Sequence, residues 1–473
     1  MSQHSFNPHN EFVKKISDNN KLNFVDASSD SKYNLSQLMF PVHSEFGESK
    51  QLGFIYVDSG IKSLAIYFSF LNSSHALVLL SDTLDSNLKQ NLEKIYRPAF
   101  IYDNTRDSIG NYKDVTFDNG TLNARVFRTS ENLDYTINPE VKILLSTSGT
   151  TGSPKLVKLS FENIQENALS ISDYLPINGE DVTPLNLPLN YSYGLSVLHS
   201  NAIKGGTIVC GIPDILSKAF WTCFDKYGFT SIAGVPFIYE MLYRIGFLKK
   251  EYPSLEYISQ AGGNLSKNIK EKFNSYCEKN TIEFYVMYGQ TEATARISFV
   301  PPAKLNDKLT SIGKPIKKGH LRIDDKTEEL LYSGPNVFGG YAESITDLNH
   351  WESIDWLKTG DIAYTDTDGF YYIKGRLKRI VKVFGNRVNL DEIERYLKLE
   401  LSTAIIACTG IDDKFILVAY TEIDMNTDLL KRRLFETFKI QGSAVKFMYI
   451  ETFPMTKNEK VDYKEIATIY KSK

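Results

Sequence analysis

The sequence predicts an α/β protein with a large N-terminal domain of helix-covered, mostly parallel sheets, a small β subdomain, and a small α+β C-terminal domain. Three observations lead to this fold class. From Gly53 onward, strand-like apolar runs alternate with helix-like runs, which is typical of parallel sheets covered by helices. Several of these strand-like runs end in glycine-rich or hydroxyl-rich loops, where open α/β sheets bind ligands. Beyond about Pro301 the helix-like runs give way to short β-like segments with turns.

The large domain is expected to begin its alternation after the polar, weakly patterned residues 1–50. Ser160 is expected to cap a helix that runs from Phe161 to about Tyr174, because a serine at this position can accept a bond from the first helical turn. The other expected elements are strands at 54–57, 76–80, 206–210, 230–235, 257–260 and 282–286, and helices at 61–71, 84–96, 217–227, 236–245 and 265–278.

The small domain is expected to begin near Lys378. Asn389 can cap a helix that starts at Leu390, with Glu392 at the third position completing a capping box. Strand-like runs are expected at 379–383, 404–407, 416–420 and 446–450, and a helix at 428–438. The predicted division is therefore an N-terminal core at 1–377, β-rich from about 300, and a C-terminal domain at 378–473.

Composition excludes several classes of function. The chain has 473 residues and a formal net charge of −3, which gives no electrostatic case for a nucleic-acid partner or an anionic membrane surface. The four cysteines are scattered, without a Cys-x-x-Cys pattern, and are expected to be reduced core thiols. No apolar run approaches the length that spans a bilayer, so a cytoplasmic protein without a membrane span is expected.

The run 141–145 reads as a buried strand and leads into a loop of hydroxyl-bearing residues and glycines ending at Lys155. Hydroxyls and backbone N–H groups can converge there on one anion, and a lysine adds a mobile positive charge. The Gly-x-x-x-x-Gly-Lys-Ser/Thr pattern is absent, because Pro154 precedes the lysine and Leu156 follows it, which argues against a phosphoryl-transfer NTPase. The candidate phosphate-binding residues are Thr147, Ser148, Gly149, Thr150, Thr151, Gly152 and Lys155.

Four further motifs follow this loop in order. They are Tyr288-Gly289-Gln290-Thr291-Glu292, Thr359-Gly360-Asp361, Gly375-Arg376-Leu377-Lys378 and Pro454-Met455-Thr456-Lys457-Asn458-Glu459-Lys460. With the loop, this ordered set resembles the adenylate-forming superfamily of acyl-CoA and aryl-CoA synthetases, luciferases and peptide-synthetase adenylation domains. The resemblance implies that ATP and Mg²⁺ activate a carboxylic acid to an acyl-AMP with release of pyrophosphate, and that the acyl group then passes to the thiol of CoA.

The resemblance also implies roles for single residues. The loop would hold the β- and γ-phosphates, Thr291 would contact the α-phosphate, and Glu292 would ligate Mg²⁺. Lys460 would bridge the substrate carboxylate and the α-phosphate, which completes the catalytic set of Thr291, Glu292 and Lys460. The other candidate nucleotide-binding residues are Gly262, Gly263, Gly289, Tyr288 beside the adenine, and Asp361 and Arg376 at the ribose.

The acid pocket is expected at Tyr191, Gly194 and Gly263. No aspartate lies between Pro188 and Ser200, which argues against an α-amino acid substrate, since peptide-synthetase domains use one there. By resemblance, Lys378 would be a hinge about which the small domain rotates between the two half-reactions. Lys382 and Gly385 would then face the incoming thiol.

Three functions remain open from the sequence. The first is an acid–CoA ligase that acts on a small carboxylic acid. The second is a stand-alone adenylating enzyme that loads the phosphopantetheine of a free-standing carrier protein, or an amine. The third is a non-catalytic nucleotide-binding homologue, against which the joint presence of the motif residues argues. Leu156 and Glu459 depart from the glycines usual in the family, beside the loop lysine and the catalytic lysine respectively.

Overall fold

The computed structural model describes residues 11–146, 155–383, 386–401, 405–411, 414–423, 425–456 and 460–472. Residues 147–154, Gly385 and the side chains of Lys378 and Lys382 lie outside this description, and so do the predictions made for them. The chain divides into two compact units, of which the first is Met1–His320 with Ser333–Leu357, and the second is Leu321–Tyr332 with Lys358–Lys473. A domain boundary at Lys378 stays a prediction.

The largest sheet of the first unit combines parallel and antiparallel strands. In the described residues its spatial order is Tyr341–Ala342, Leu156–Leu159, Ile143–Ser146, Ala76–Ser81, Leu52–Val57, Phe100–Tyr102, Asn123–Thr129 and Tyr112–Asp118. The central strands are parallel, whereas both edges are antiparallel. The two strands that flank residues 147–154 pair with each other, with Ser146 opposite Leu156.

Two smaller sheets complete the strands of the first unit. One has the order Ser231–Gly234, Tyr257–Gln260, Glu283–Tyr288, Ser298–Val300 and Lys314–Pro315, and its first three strands are parallel. The other has the order Val182–Pro184, Thr207–Cys210, Asn23–Asp26 and Ser31–Tyr33. The predicted α/β class is confirmed. The sheets are more mixed than expected, because short antiparallel edge strands, including Ser31–Tyr33, join the parallel cores.

Six helices of the first unit lie where the sequence predicted them, whereas Ser192–Lys204 and the short helices before residue 50 were not predicted. Ser160 caps the helix Phe161–Tyr174, since its Oγ accepts the Asn163 N–H at 3.1 Å, as expected. In the described residues the helices of the first unit are Glu11–Ser17, Leu35–Leu38, Val42–Phe46, Ile61–Leu71, Ser86–Tyr96, Phe161–Tyr174, Ser192–Lys204, Lys218–Tyr227, Pro236–Arg244 and Lys267–Lys279. Short 3₁₀ turns occupy Phe247–Lys249, Thr291–Ala293, Pro302–Lys304 and Ile345–Asn349.

A buried lysine fixes the start of the strand that leads to the phosphate-type loop. The Lys142 ammonium donates to the backbone carbonyls of Phe70, Ser73 and His75 at 2.9, 2.7 and 2.6 Å. Burial lowers the pKa of Lys142 well below its usual range. Three carbonyl acceptors satisfy the ammonium, so strand Ile143–Ser146 begins at a defined position.

The second unit has the α+β character that the sequence predicted for its C-terminal part. Its first sheet is made of His320–Ile323, Glu329–Ser333, Leu357–Thr365 and Tyr371–Arg376, of which the end residues His320, Ser333 and Leu357 belong to the first unit. The other strands form a ribbon of Ile380–Val383 and Asn386–Asn389 and a sheet of Ile406–Ile411, Phe415–Tyr420 and Val445–Tyr449. Its helices are Leu390–Glu400, Thr427–Phe438 and Tyr463–Ser472, with 3₁₀ turns at Leu377–Arg379 and Gly442–Ala444. Asn389 caps the first of them, because its Oδ1 accepts the Asp391 N–H at 3.0 Å.

Candidate active site

The candidate catalytic turn Thr291–Ala293 follows strand Glu283–Tyr288 and is held in place by close packing at Gly289 and by hydrogen bonds from Asn336. Gly289 has no space for a side chain, since a Cβ there would lie 1.8 Å from the Ala295 carbonyl oxygen. The buried Asn336 amide donates to the carbonyls of Ala293 and Arg296, at 2.8 Å each. The turn therefore presents Thr291 and Glu292 in a fixed geometry.

Predicted acid-pocket and phosphate residues meet beside this turn. Ser192 Oγ lies 3.2 Å from Thr291 Oγ1, and Ser192 opens the helix that follows Tyr191. Gly262 has φ +82°, and a Cβ added there would lie 2.4 Å from the Tyr191 phenol oxygen. The structure thus brings Tyr191, Gly262 and Thr291 into one neighbourhood, although they lie in three separate segments of the sequence.

Two other predicted glycines are explained by close packing. A Cβ at Gly194 would lie 2.2 Å from the Pro188 carbonyl oxygen, so the helix can begin against the preceding turn only without a side chain there. A Cβ at Gly263 would lie 3.0 Å from the Pro236 ring. A role for either glycine in binding the acid stays a prediction.

Tyr341 connects the candidate metal ligand with the loop lysine, and no sequence motif predicted this contact. Its hydroxyl donates to Glu292 Oε1 at 2.9 Å, and the Lys155 ammonium lies 4.4 Å from its ring centroid. Lys155 Nζ also lies 3.2 Å from Glu343 Oε1. Burial and the Glu292 charge raise the pKa of Tyr341, so the phenol keeps its proton and stays a donor. We refer to Glu292, Tyr341 and Lys155 as the Tyr341 group.

In the second unit, the two residues predicted at the ribose are paired. Asp361 and Arg376 lie opposite each other on adjacent antiparallel strands, and Arg376 Nε donates to Asp361 Oδ1 at 3.1 Å. The Asp361 side chain is 7% exposed and that of Arg376 is 64% exposed. The buried carboxylate is thus held by an arginine that reaches solvent. Contact of either residue with a ribose stays a prediction.

A second tyrosine group lies next to the expected hinge. Arg379 Nη2 donates to Glu394 Oε2 at 3.1 Å, and Arg379 Nε donates to Asp391. The Arg379 guanidinium lies 3.9 Å from the Tyr463 ring centroid, and the Tyr463 hydroxyl donates to Glu394 Oε1 at 3.1 Å. Burial and the Glu394 charge raise the pKa of Tyr463. We refer to Arg379, Asp391, Glu394 and Tyr463 as the Tyr463 group.

The candidate catalytic lysine, Lys460, closes a short backbone loop. Its N–H donates to Thr456 Oγ1 at 3.1 Å, and its carbonyl accepts the Thr456 N–H at 2.6 Å. Met455 pairs with Val461 in an antiparallel bridge. Thr456 and Lys460 are therefore held together by two hydrogen bonds, while the role of Lys460 in catalysis stays a prediction.

The described part of the chain lacks metal-binding clusters, disulfides and membrane-length helices. No group of three or more His, Cys, Asp or Glu side chains is arranged there to hold a metal ion. All four cysteines are free, and Cys210, Cys277 and Cys408 are buried, as expected. Of the helices that the structure describes, none is long and apolar enough to cross a membrane.

Known proteins resemble the chain in both sequence and fold. The sequence profile described as AMP-binding enzyme matches residues 41–342. Oxalate–CoA ligase of Arabidopsis thaliana is 27% identical over 285 residues, which cover 58% of this chain and 55% of that protein. 2-Succinylbenzoate–CoA ligase of Bacillus licheniformis is 28% identical over 336 residues, which cover 67% of this chain and 68% of that protein.

The fold matches a solved structure along almost its whole length. The o-succinylbenzoate CoA synthetase of Bacillus subtilis, in complex with an acyl-adenylate intermediate, superimposes with a TM-score of 0.76 at 19% identity, covering 96% of this chain and 97% of that one. The same synthetase in complex with ATP and magnesium ion gives a TM-score of 0.71 at 19% identity, covering 95% and 98%. A double mutant of this synthetase, bound to its product analogue, gives a TM-score of 0.63 at 19% identity, covering 97% of this chain and 98% of that one.

Proposed function

Since the chain belongs to the AMP-binding enzyme family, we propose that it is an acid–CoA ligase that uses ATP and Mg²⁺. In the first half-reaction the carboxylate of the acid attacks the α-phosphorus of ATP, and pyrophosphate leaves. In the second, the CoA thiol attacks the acyl carbonyl, and AMP leaves. The observation that carries this proposal is the Tyr341 group, in which a carboxylate and a cation lie beside the hydroxyl-bearing turn at Thr291.

The Tyr341 group fits a magnesium–nucleotide complex. Mg²⁺ binds through one or two carboxylates together with phosphate oxygens, and it rarely uses an all-protein cage. Glu292 supplies one such carboxylate, and the described residues contain no denser cluster of metal ligands. When bound, Mg²⁺ would neutralise charge on the phosphates. Tyr341 would keep Glu292 oriented, and Lys155 would hold the β- and γ-phosphates.

The remaining steps require donors more than a base, because two anions must approach each other. Thr291 would donate its hydroxyl to the α-phosphate, and Ser192 positions that hydroxyl at 3.2 Å. Asp361 would accept bonds from the ribose hydroxyls, with Arg376 holding the carboxylate in place. Lys460 would supply the ammonium that pairs the acid carboxylate with the α-phosphate during the first half-reaction.

CoA is the acceptor that we favour. Both ligase relatives carry CoA in their names, and a solved structure of the fold holds a CoA-type product analogue. The phosphopantetheine of a carrier protein presents the same thiol, so Lys382 and Gly385 would face either acceptor. Thioester formation with free CoA, measured against formation with a carrier protein, separates the two.

The proposal is tested by separating the half-reactions in a Lys460→Ala variant. We expect acid-dependent exchange of pyrophosphate into ATP to fall by roughly 10²- to 10³-fold, the size of a lost electrostatic stabiliser. Thioester formation from supplied acyl-AMP should persist. Lys464→Ala is the matched control, because Lys464 is an exposed lysine of the same segment. Equal losses in both half-reactions would contradict the proposed role of Lys460.

A further inference from the structure

Arg296 is a buried cation that follows the candidate catalytic turn. The residue is 2% exposed, and its backbone carbonyl accepts the amides of Asn336 at 2.8 Å and Asn167 at 3.3 Å. The main chain at Arg296 is therefore held on two sides, and its side chain is confined to the interior of the first unit.

The surroundings of the guanidinium are aromatic and neutral. It lies 4.0 Å from the Tyr193 ring centroid, and Nε donates to Met287 Sδ at 3.4 Å. The same sulfur accepts the Tyr174 hydroxyl at 3.0 Å. Within the described ranges, no acidic side chain forms an ion pair with Arg296. Charges that proteins bury are normally paired with an opposite charge, so the lack of such a pair here indicates an anion that comes from outside the chain.

The positive charge of Arg296 acts on the predicted acid pocket. Burial raises the pKa of Tyr191 to about 12, and the nearby Arg296 charge opposes that rise. Tyr191 packs against Gly262, and the next residue, Ser192, contacts Thr291. Arg296 is therefore linked to the predicted acid pocket through Tyr193, whose ring centroid lies 6.2 Å from that of Tyr191.

Arg296 also lines a small internal cavity that has both polar and apolar walls. Ser196, Ser200, Ser231 and Ser259 contribute to the same walls. The cavity has room for about one water molecule, which is also the space taken by a carboxylate oxygen. A buried cation among hydroxyl groups is suited to a small anionic group and disfavours an apolar one.

We propose that Arg296 binds a second carboxylate of the acid substrate, so that the substrates of this enzyme are dicarboxylic acids. One carboxylate is activated at Thr291, and the other is held at Arg296. This inference rests on the proposed function and adds to it the class of acid.

The test compares dicarboxylic acids with their monoamides, which have nearly the same shape and lack the second charge. Pyrophosphate exchange is measured with succinate, glutarate, adipate and phthalate, each beside its monoamide. We expect kcat/KM for the best diacid to exceed that of its monoamide by roughly 10- to 100-fold, the range for a hydrogen bond to a charged group. In Arg296→Gln this ratio should fall to about one.

Two further variants keep the test decisive. Arg97→Gln is the matched control, because Arg97 forms an exposed ion pair with Asp134 at 2.9 Å, and it should keep the wild-type ratio. Arg296→Lys retains a cation and should keep the preference for the diacid even where Arg296→Gln fails to fold. Equal use of diacids and monoamides by the wild-type protein would overturn the inference. Exchange with no acid at all would instead contradict the proposed function.

Discussion

Two tyrosines, one in each unit, hold similar sets of charged side chains for different purposes. Tyr341 and Tyr463 each donate the hydroxyl proton to a glutamate and each present the ring to a cation. In both, burial raises the tyrosine pKa, so the phenol remains a donor. The local chemistry of the two groups is therefore nearly the same.

The two groups differ in how exposed their charged side chains are to solvent. In the Tyr463 group Arg379 pairs directly with Glu394, and their side chains are 13% and 10% exposed. In the Tyr341 group the cation is Lys155, whose ion pair with Glu343 is 46% and 67% exposed. Charges that satisfy one another in the interior have no capacity left for a ligand, whereas exposed ones can exchange partners. In this protein, solvent accessibility therefore distinguishes a structural group from a candidate binding group.

The largest expected effect comes from removing the cation of the Tyr463 group. Arg379→Met leaves Asp391 and Glu394 without their cation, and we expect the free energy of unfolding of the second unit to fall by about 3–5 kcal/mol. Denaturant unfolding followed by circular dichroism reports both units. Tryptophan fluorescence reports the first alone, because Trp221, Trp351 and Trp356 all lie in it.

The matched control is Arg296→Met, which removes a buried cation that has no acidic partner among the described residues. It should change stability by less than about 1 kcal/mol, because no carboxylate is left unpaired. Equal losses of stability in the two variants would contradict the view that Arg379 stabilises buried carboxylates whereas Arg296 binds a ligand.

The next effect is a loss of stability in mild acid, which we expect in the first unit, because every histidine of the sequence lies outside the second unit. Burial lowers the pKa of His199 to about 3. Above pH 6.5 His199 is neutral in both states; below it only the unfolded chain takes the proton, so stability is lost as the pH falls from 6.5 toward 3. At pH 5 the loss is about 2 kcal/mol for this residue.

The pH dependence is measured as the midpoint of the tryptophan transition between pH 7 and pH 5. His199→Gln should flatten it, whereas the same substitution at the exposed His320 should leave it unchanged. His75, whose pKa burial also lowers to about 3, accounts for the slope that remains. An equal acid loss in His199→Gln and in the wild type would rule out His199 as the source.

The smallest expected effect concerns the Tyr341 group and is a change in the Mg²⁺ requirement of the reaction. Tyr341→Phe keeps the ring beneath Lys155 and removes the bond to Glu292, so we expect about tenfold more Mg²⁺ to be needed for half-maximal exchange. Tyr463→Phe is the matched control and should lower stability without changing the Mg²⁺ titration. An unchanged titration in Tyr341→Phe would show that the tyrosine does not position Glu292.

Local signals in the sequence predicted the parts of the fold that depend on local chemistry. The strand Tyr257–Gln260 and the helix Phe161–Tyr174 were expected at those residues. An apolar run predicts the strand and a serine cap predicts the helix, and both signals depend only on residues close together in the sequence. The family match and the full-length fold match confirm the resemblance that the ordered motifs indicated.

Non-local pairings were out of reach. Tyr341 lies beside Glu292 because the edge strand Tyr341–Ala342 pairs with Leu156–Leu159. The residues next to Tyr341 in the sequence carry no pattern that predicts this pairing. The strand Asn23–Asp26 likewise joins Thr207–Cys210 from a weakly patterned segment. Arg296 did carry a signal, since an arginine between Ala295 and Ile297 directly after the catalytic motif is a charge in an apolar setting.

The central claim is tested most directly by carboxylate-dependent exchange of labelled pyrophosphate into ATP, with the wild-type protein and a panel of aliphatic, aryl and amino acids. This measurement follows acid activation alone, so the identity of the thiol acceptor does not affect it. We predict Mg²⁺-dependent exchange with one class of carboxylic acid and none with α-amino acids. ATP binding without exchange for any acid would contradict the proposal that this protein activates carboxylic acids.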